Sequence, residues 1–272
     1  MANAQQHIKS MVNLIDTINY VSRREVFADF VEMGAIAYSN GVDLRQRSHR
    51  EARYMKLIGK YQKKHQYIFG DLLGELNMAM ESDPSDILGR LFHELDAANK
   101  ATGQFFTPQH ICELMGKLIV GSGSQIKAEI EERGFFRLSE PSCGSAAMVI
   151  AFATAIREQG INYQQNLHVT LTDIDARAVH MAYLHLSLMH IPAIIVHGNT
   201  LTLEEFGSWH TPAHFTELFE FKLRRGYSLE SAMGRGQLEL TPEPAEELVV
   251  TTEHLIASHI PVHSLTEQVA LF

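Results

Sequence analysis

Residues 135–150 read Phe-Phe-Arg-Leu-Ser-Glu-Pro-Ser-Cys-Gly-Ser-Ala-Ala-Met-Val-Ile, and this stretch decides the fold. Its first four residues include three apolar ones, which predict a short strand that ends at the acidic Glu140. Small residues occupy 142–146, and the apolar run that follows predicts a helix. A strand, a turn of small residues and a helix present backbone N–H groups and a helix N-terminus to a polar ligand. The stretch therefore predicts one unit of an α/β sheet with a ligand beyond the end of its strand.

Two similar units follow along the chain. Residues 167–172 and 194–197 predict short strands, and each run ends in polar residues, at Asp173 and at Asn199. Strands that alternate with helices indicate a parallel sheet. Residues 1–100 carry apolar side chains at helical spacing throughout. The sequence therefore predicts an N-terminal helical domain over 1–100, an α/β core over 101–215 and a C-terminal extension over 216–272.

A second motif, Gly-Gln-Phe-Phe-Thr-Pro at 103–108, precedes the turn by about thirty residues. Together the two motifs resemble the S-adenosylmethionine (SAM) pocket of the adenine-N6 DNA methyltransferases, specifically the modification subunit of type I restriction systems. The resemblance extends from about residue 86 to about residue 201. It implies an α/β fold with the Rossmann-like parallel sheet of SAM-dependent methyltransferases, here shortened, and SAM as the cofactor.

The resemblance also implies which residues bind the cofactor. Asp173, rather than Asp175, matches the acid that holds the ribose, and Asn199 stands where the family usually has Asp near the adenine amino group. The motif at 103–108 is expected at the methionine end. The full predicted cofactor set is Gly103, Gln104, Phe105, Phe106, Thr107, Pro108, Glu140, Ser142, Gly144, Ser145, Ala146, Asp173, Ile174, Asn199 and Thr200.

The sequence departs from the family at the catalytic motif. The family has Asn-Pro-Pro followed by Phe or Tyr, which accepts hydrogen bonds from the target amino group and stacks on a flipped-out base. This tetrapeptide is absent from the sequence. The substitutes that we predict as catalytic residues are Asn199, Trp209, His210, Thr211 and His214. His210 and His214 also have a spacing that suits a metal, but Pro212 lies between them and no third ligand is evident, so we predict no metal site.

The net charge and the distribution of basic residues bear on whether the protein binds DNA. The formal net charge is −9, yet eight basic residues and one acid lie between Arg45 and Lys64. On a continuous helix, some of these basic side chains would share one side and could track DNA phosphates. The alternative interpretation is a solvated helix face. The predicted DNA-binding residues are Arg53, Lys56, Lys60, Lys63 and Lys64.

The chain end and the composition predict further partners and a compartment. Gln268, Leu271 and Phe272 resemble the short peptide with which bacterial replication and repair proteins bind the sliding clamp. The competing interpretation, which the short length of the pattern favours, is a helix end that packs on its own core. A specificity subunit or another subunit is a further expected partner. The sequence contains two cysteines, no secretory signal and no long apolar run, which predicts a cytoplasmic protein without a membrane span.

Two hypotheses about function follow. In the first, the protein binds SAM and methylates adenine in DNA. In the second, it is a catalytically inactive relative that acts through DNA and partners, as an accessory or anti-restriction protein. A methyltransferase acting on a small molecule or a protein is a weaker third interpretation, because the basic segment argues against it.

Overall fold

The computed structural model describes residues 3–96 and 107–240, which form fourteen helices and four strands. Gly103 to Phe106 of the motif at 103–108 and the chain end at 268–272 lie outside the described residues. The helices are α1 (Ala4–Asp16), α2 (Arg23–Asn40), α3 (Arg47–Ile58), α4 (Lys63–Gln66), α5 (Ile68–Ser82), α6 (Ile87–Asp96), α7 (Gln109–Val120), α8 (Ser124–Arg133), α9 (Ala147–Glu158), α10 (Tyr163–Asn166), α11 (Ala176–Leu188), α12 (Pro212–Thr216), α13 (Phe219–Arg225) and α14 (Ala232–Leu240). The strands are β1 (Phe136–Glu140), β2 (Leu167–Asp173), β3 (Ala193–Asn199) and β4 (Glu204–His210).

The first six helices form a layer that packs on the sheet domain. Helix α1 begins with a capping box between Asn3 and Gln6, and it buries an apolar stripe against α5 and α6. Helix α2 packs on α11, where a Cβ atom at Gly34 would lie 3.2 Å from the Leu184 side chain. The described residues up to Arg235 form one compact unit, and the buried side chains of the helical layer belong to the same core as those of β1, β2 and β3.

The sheet has the order β1-β2-β3-β4. Strands β1, β2 and β3 are parallel, as the alternation of strands and helices predicts, and the predicted mixed α/β fold is confirmed. Phe136 of β1 contacts Phe152 of α9, and Trp209 of β4 contacts Tyr183 of α11. The pairing register places Phe136 and Trp209 on the same face of the sheet, so α9 and α11 cover one face together.

Strand β4 runs antiparallel to β3 and was not predicted. Its sequence, Glu-Glu-Phe-Gly-Ser-Trp-His, has few residues that favour strands, which explains why sequence patterns miss it. The chain reverses direction at residues 200–203. There the side-chain oxygen of Asn199 accepts the N–H groups of Leu201 and Thr202, at 2.9 and 3.3 Å, and Leu203 has a left-handed φ of 59°. This hairpin returns the chain to the amino-terminal end of β3.

Candidate functional site

Three polar side chains mark the carboxyl ends of the parallel strands. Glu140 ends β1, Asp173 ends β2 and Asn199 ends β3, and the register places them along one edge of the sheet. All three are half-buried. The carboxyl edge of a parallel sheet is where α/β folds bind ligands. The structure thus brings together three members of the predicted cofactor set.

Asp173 anchors the turn that follows β1. Its Oδ2 atom accepts the N–H of Gly144 at 2.8 Å, and its Oδ1 atom accepts the N–H of Asp175 at 2.9 Å. The backbone N–H of Cys143 donates to the carbonyl of Thr172 at 3.0 Å. Gly144 has a φ of 53°, a conformation that glycine adopts without the penalty of a side chain. The turn is therefore held against the end of β2 through one carboxylate and one carbonyl.

The turn leads directly into the N-terminus of α9. Ala146 is the N-cap residue and has a left-handed φ of 71°, and no side chain caps the helix. An alanine in this conformation is strained by roughly 1–2 kcal/mol. The hydroxyl of Ser145 is buried and has no hydrogen-bond partner among the described residues. The first N–H groups of α9, which have no acceptor within the helix, and the unpartnered hydroxyl of Ser145 therefore lie at one turn, an arrangement that suits an anionic or polar ligand.

Local burial alters the acidity of two groups near the turn. Desolvation by burial raises the pKa of Glu140, although the N–H of Ser142 partly opposes this shift. Desolvation also raises the pKa of the Cys143 thiol strongly, and the nearby carboxylates of Asp173 and Glu140 add to the shift. A thiol with a raised pKa is a poor nucleophile, so the turn is suited to binding rather than to covalent catalysis.

The hairpin after β3 adds the remaining groups at this edge. Thr200 donates its hydroxyl to the carbonyl of Pro141 at 2.5 Å, which ties the hairpin to the turn after β1. The side-chain oxygen of Asn199 is occupied by two N–H groups of the hairpin. Ile174 is 62% exposed directly after Asp173, so an apolar surface lies beside the carboxylate. Thr107 and Pro108 precede α7, which packs along α9.

The other predicted catalytic residues lie at the opposite end of the sheet. His210 pairs with Ile194 near the start of β3, five residues or roughly 16 Å from Asn199 at the usual rise of a strand. Thr211 is fully buried and accepts the N–H of Ala193 at 2.9 Å. His214 is buried, with its Nδ1 atom 3.1 Å from Nε2 of His168. The structure therefore does not bring these residues to the edge that carries Asp173.

Trp209 has a packing role in the structure. Its ring lies against Tyr183 and His180 of α11, and the guanidinium of Arg50 lies 3.9 Å from its centroid. Arg50 also donates to the carbonyl of Ser208 at 3.0 Å. A side chain held in this way on three sides cannot stack on a base at the distant edge.

The predicted basic helix is interrupted in the structure. Helix α3 ends at Ile58 and α4 begins at Lys63, so the five basic residues do not share one continuous helix. Arg53 donates to both oxygens of Glu32 at 2.6 and 2.7 Å, and Lys60 lies 3.0 Å from Asp29. Sequence patterns miss these pairs because the acids belong to α2. The exposed members of the predicted set are Lys56, Lys60, Lys63 and Lys64.

His185 is a site residue that sequence reasoning missed. Its Nδ1 atom lies 2.8 Å from the carbonyl oxygen of Ser145, and its Nε2 atom accepts the N–H of Leu88 at 3.2 Å. The side chain is fully buried, and this desolvation lowers the pKa of the imidazole. No local pattern reveals the contact, because Ser145 is 40 residues away along the chain.

Neither a metal-binding cluster nor a membrane-spanning helix is found among the described residues. Over residues 3–96 and 107–240, no group of three or more His, Cys, Asp or Glu side chains is arranged to hold a metal ion. In the same residues, no helix combines the length and the apolar composition required to cross a bilayer.

Comparison with known proteins agrees with the geometry. Residues 85–218 match the family model described as N-6 DNA Methylase. The match covers α6, the turn with Asp173 and the hairpin. No curated protein matches the chain.

A search of solved structures finds the crystal structure of the type I restriction-modification system methyltransferase subunit from Streptococcus thermophilus, at 18% identity and a TM-score of 0.37. The similarity covers 66% of this chain and 40% of that subunit, so the chain spans less than half the length of the protein that it resembles.

Proposed function

We propose that the protein binds SAM and acts as an adenine-N6 DNA methyltransferase or as part of one, because residues 85–218 match the family model described as N-6 DNA Methylase. The observation that carries this proposal is the turn at 142–146. Its Gly144 N–H is held by Asp173, its Ser145 hydroxyl is buried without a partner, and it leads into the uncapped N-terminus of α9.

The residues at this edge fit the parts of SAM. Asp173 uses each carboxylate oxygen for one backbone N–H, and each oxygen retains a lone pair that can accept a ribose hydroxyl. Ile174 offers an exposed apolar surface to the adenine ring. The turn and the N-terminus of α9 suit the carboxylate of the methionine part, beside Thr107 and Pro108. SAM supplies an electrophilic methyl group on a sulfonium, and the protein positions it.

Methyl transfer also needs an acceptor that orients the target amine. Among the described residues, the amide of Asn199 is the member of our predicted catalytic set that lies at the cofactor edge, and its oxygen already accepts two N–H groups. Transfer to adenine therefore requires that the hairpin releases this oxygen, or that the acceptor comes from another part of the protein or a partner subunit. DNA would approach along exposed lysines such as Lys56, Lys63 and Lys64.

A second candidate function is that of an inactive relative that binds SAM or DNA and acts through partners. The antiparallel course of β4 favours it, because the segment after β3 carries Trp209 and His210 away from the cofactor edge. Loss of the Asn-Pro-Pro tetrapeptide from the sequence points in the same direction.

Calorimetric titration with SAM tests the binding proposal. We expect a Kd in the micromolar range, or about −8 kcal/mol, and at least about tenfold weaker binding for Asp173→Asn, which replaces one acceptor oxygen by a donor. Asp175→Asn is the matched control, because Asn also serves as an N-cap for α11. Failure of the unaltered protein to bind SAM would refute the proposal.

Methyl transfer is tested separately. DNA incubated with the protein and SAM is digested and assayed for N6-methyladenine. Asn199→Ala should abolish the product if its amide serves as the acceptor, whereas Trp209→Phe should retain it, since Trp209 packs at the far end of the sheet. SAM binding without any methylated adenine would favour the inactive relative.

A further inference from the structure

His185 of helix α11 bridges two segments that are distant in the sequence. A backbone carbonyl only accepts and a backbone N–H only donates, so the two contacts fix the state of the ring. Nδ1 carries the proton and donates to Ser145, while Nε2 is bare and accepts from Leu88. The partners lie 40 and 97 residues from His185 along the chain. A neutral imidazole thus joins the turn after β1 to the first turn of α6.

Both partners need this side chain. The N–H of Leu88 belongs to the first turn of a helix, where N–H groups have no acceptor within the helix. The carbonyl of Ser145 belongs to an irregular turn outside the ladder of the sheet. Leu88 is fully buried and Ser145 is 1% exposed, so bulk water does not reach either group while the ring is in place.

The bond to Ser145 controls the peptide group that enters α9. The carbonyl of Ser145 and the N–H of Ala146 belong to one rigid peptide plane. The Ala146 N–H donates to Cys143 at 2.8 Å, and Ala146 itself has the strained φ of 71°. Asp173 and Thr172 fix the earlier half of the turn, at Gly144 and Cys143. His185 fixes the later half, which carries the helix N-terminus.

We propose that His185 is a positioning residue for the cofactor, which holds the Ser145–Ala146 peptide in the orientation that presents the N-terminus of α9 to SAM. This inference rests on the proposed function, since it names the residue that shapes the same site. His185 acts through the backbone of the turn, and its second bond ties the first turn of α6 to the same side chain.

Two variants separate the two hydrogen bonds. The side-chain amide nitrogen of Asn occupies the place of Nδ1, so His185→Asn retains the donor to Ser145 and loses the acceptor for Leu88. The terminal amide oxygen of Gln reaches the place of Nε2, so His185→Gln retains the acceptor and loses the donor. The same pair of substitutions at His180 is the control, because His180 is buried on the same helix and packs on Trp209 instead of the turn.

Titration of the four variants with SAM, each checked for folding by urea unfolding, tests the inference. We expect His185→Asn to bind within about threefold of the unaltered protein and His185→Gln to bind at least about tenfold more weakly, the effect of one hydrogen bond. Both His180 variants should keep the original affinity. Equal weakening by His185→Asn and His185→Gln would overturn the inference, because it would show that the ring only stabilises the fold.

Hydrogen exchange keeps the two proposals distinguishable. If the unaltered protein does not bind SAM, the proposed function fails, and the turn can still be examined without ligand. Faster exchange of the Gly144 and Ala146 amides in His185→Gln than in His185→Asn would support the positioning role. Equal exchange rates in the two variants would refute it.

Discussion

Replacement of Asp173 by alanine should lower the free energy of unfolding as well as remove the proposed contact to the ribose of SAM. The carboxylate accepts the N–H groups of Gly144 and Asp175 at 2.8 and 2.9 Å. The first bond joins the turn after β1 to the end of β2, beside the backbone bond from Cys143 to Thr172, and the second holds the short turn before α11. Alanine leaves both donors without an acceptor. Asp175→Ala is the comparison, since that side chain accepts the N–H of Arg177 as an N-cap.

The expected magnitude follows from the two bonds. A hydrogen bond to a charged group contributes about 1.5–3 kcal/mol when buried, and the half-exposed position of Asp173 lowers this to roughly 1–2 kcal/mol for each. Asp173→Ala should therefore cost about 2–4 kcal/mol. Loss of the N-cap in Asp175→Ala should cost about 1 kcal/mol. A domain stable by about 5–15 kcal/mol remains folded after either change.

Urea unfolding followed by circular dichroism measures both values. A loss for Asp173→Ala that is no larger than that for Asp175→Ala would refute the anchoring role of the carboxylate. If the larger loss is found, SAM titrations of Asp173 variants must be made well below the unfolding transition. Only then does a weaker affinity report the ribose contact rather than a smaller folded fraction.

Three further predictions concern the scaffold of the site. Desolvation lowers the pKa of His168 to about 3 and that of His180 to about 4, below the unfolded value near 6.5, so the unfolded state takes up protons first as pH falls. The free energy of unfolding should therefore be unchanged above pH 6.5 and decline below it, by up to roughly 2 kcal/mol for each histidine at about pH 5. The urea midpoint should fall accordingly over this pH range. An unchanged midpoint would contradict the burial of neutral imidazoles. Gly116→Ala should lower the free energy of unfolding by about 1–3 kcal/mol, because the new Cβ would lie 3.0 Å from the backbone of α9. Gly74→Ala, whose Cβ would point into open space, should raise it by about 0.5–1 kcal/mol. Thermal unfolding that ranks the two variants in the reverse order would refute the close approach of α7 and α9. Arg50→Ala should lower the free energy of unfolding by about 3–5 kcal/mol, because it leaves the buried carboxylate of Asp43 unpaired. A loss below about 1 kcal/mol in chemical unfolding, the value of a surface ion pair, would show that the pair is not buried in solution.

The site at the carboxyl edge could be predicted largely from sequence because its determinants are local. The strand, the turn and the helix around residues 135–150 follow one another without interruption, and Asp173 is recognisable because it ends an apolar strand. Asn199, which is expected near the adenine amino group, also accepts two N–H groups of the hairpin at 200–203, and no local pattern predicts those bonds.

The predicted catalytic and DNA-binding groups show where local patterns fail. Trp209 to His214 follow the cofactor edge closely in sequence, but the antiparallel pairing of β4 carries them to the other end of β3. Arg53 and Lys60 were assigned to a surface that contacts DNA, yet acids on α2 neutralise them. In both cases the deciding partner lies on another element, where a single-sequence pattern gives no signal.

The sequence by itself determined the α/β class, the parallel direction of β1 to β3 and the turn that leads into α9, because apolar periodicity and runs of small residues are visible within about ten positions. The tertiary structure alone decided the direction of β4, the burial of Arg50 against a strand 158 residues away, and the bridge from His185 to the turn. The physical reason is that buried polar groups need hydrogen-bond partners. The packing of the whole core, rather than the neighbouring residues in the chain, decides which partner each group meets.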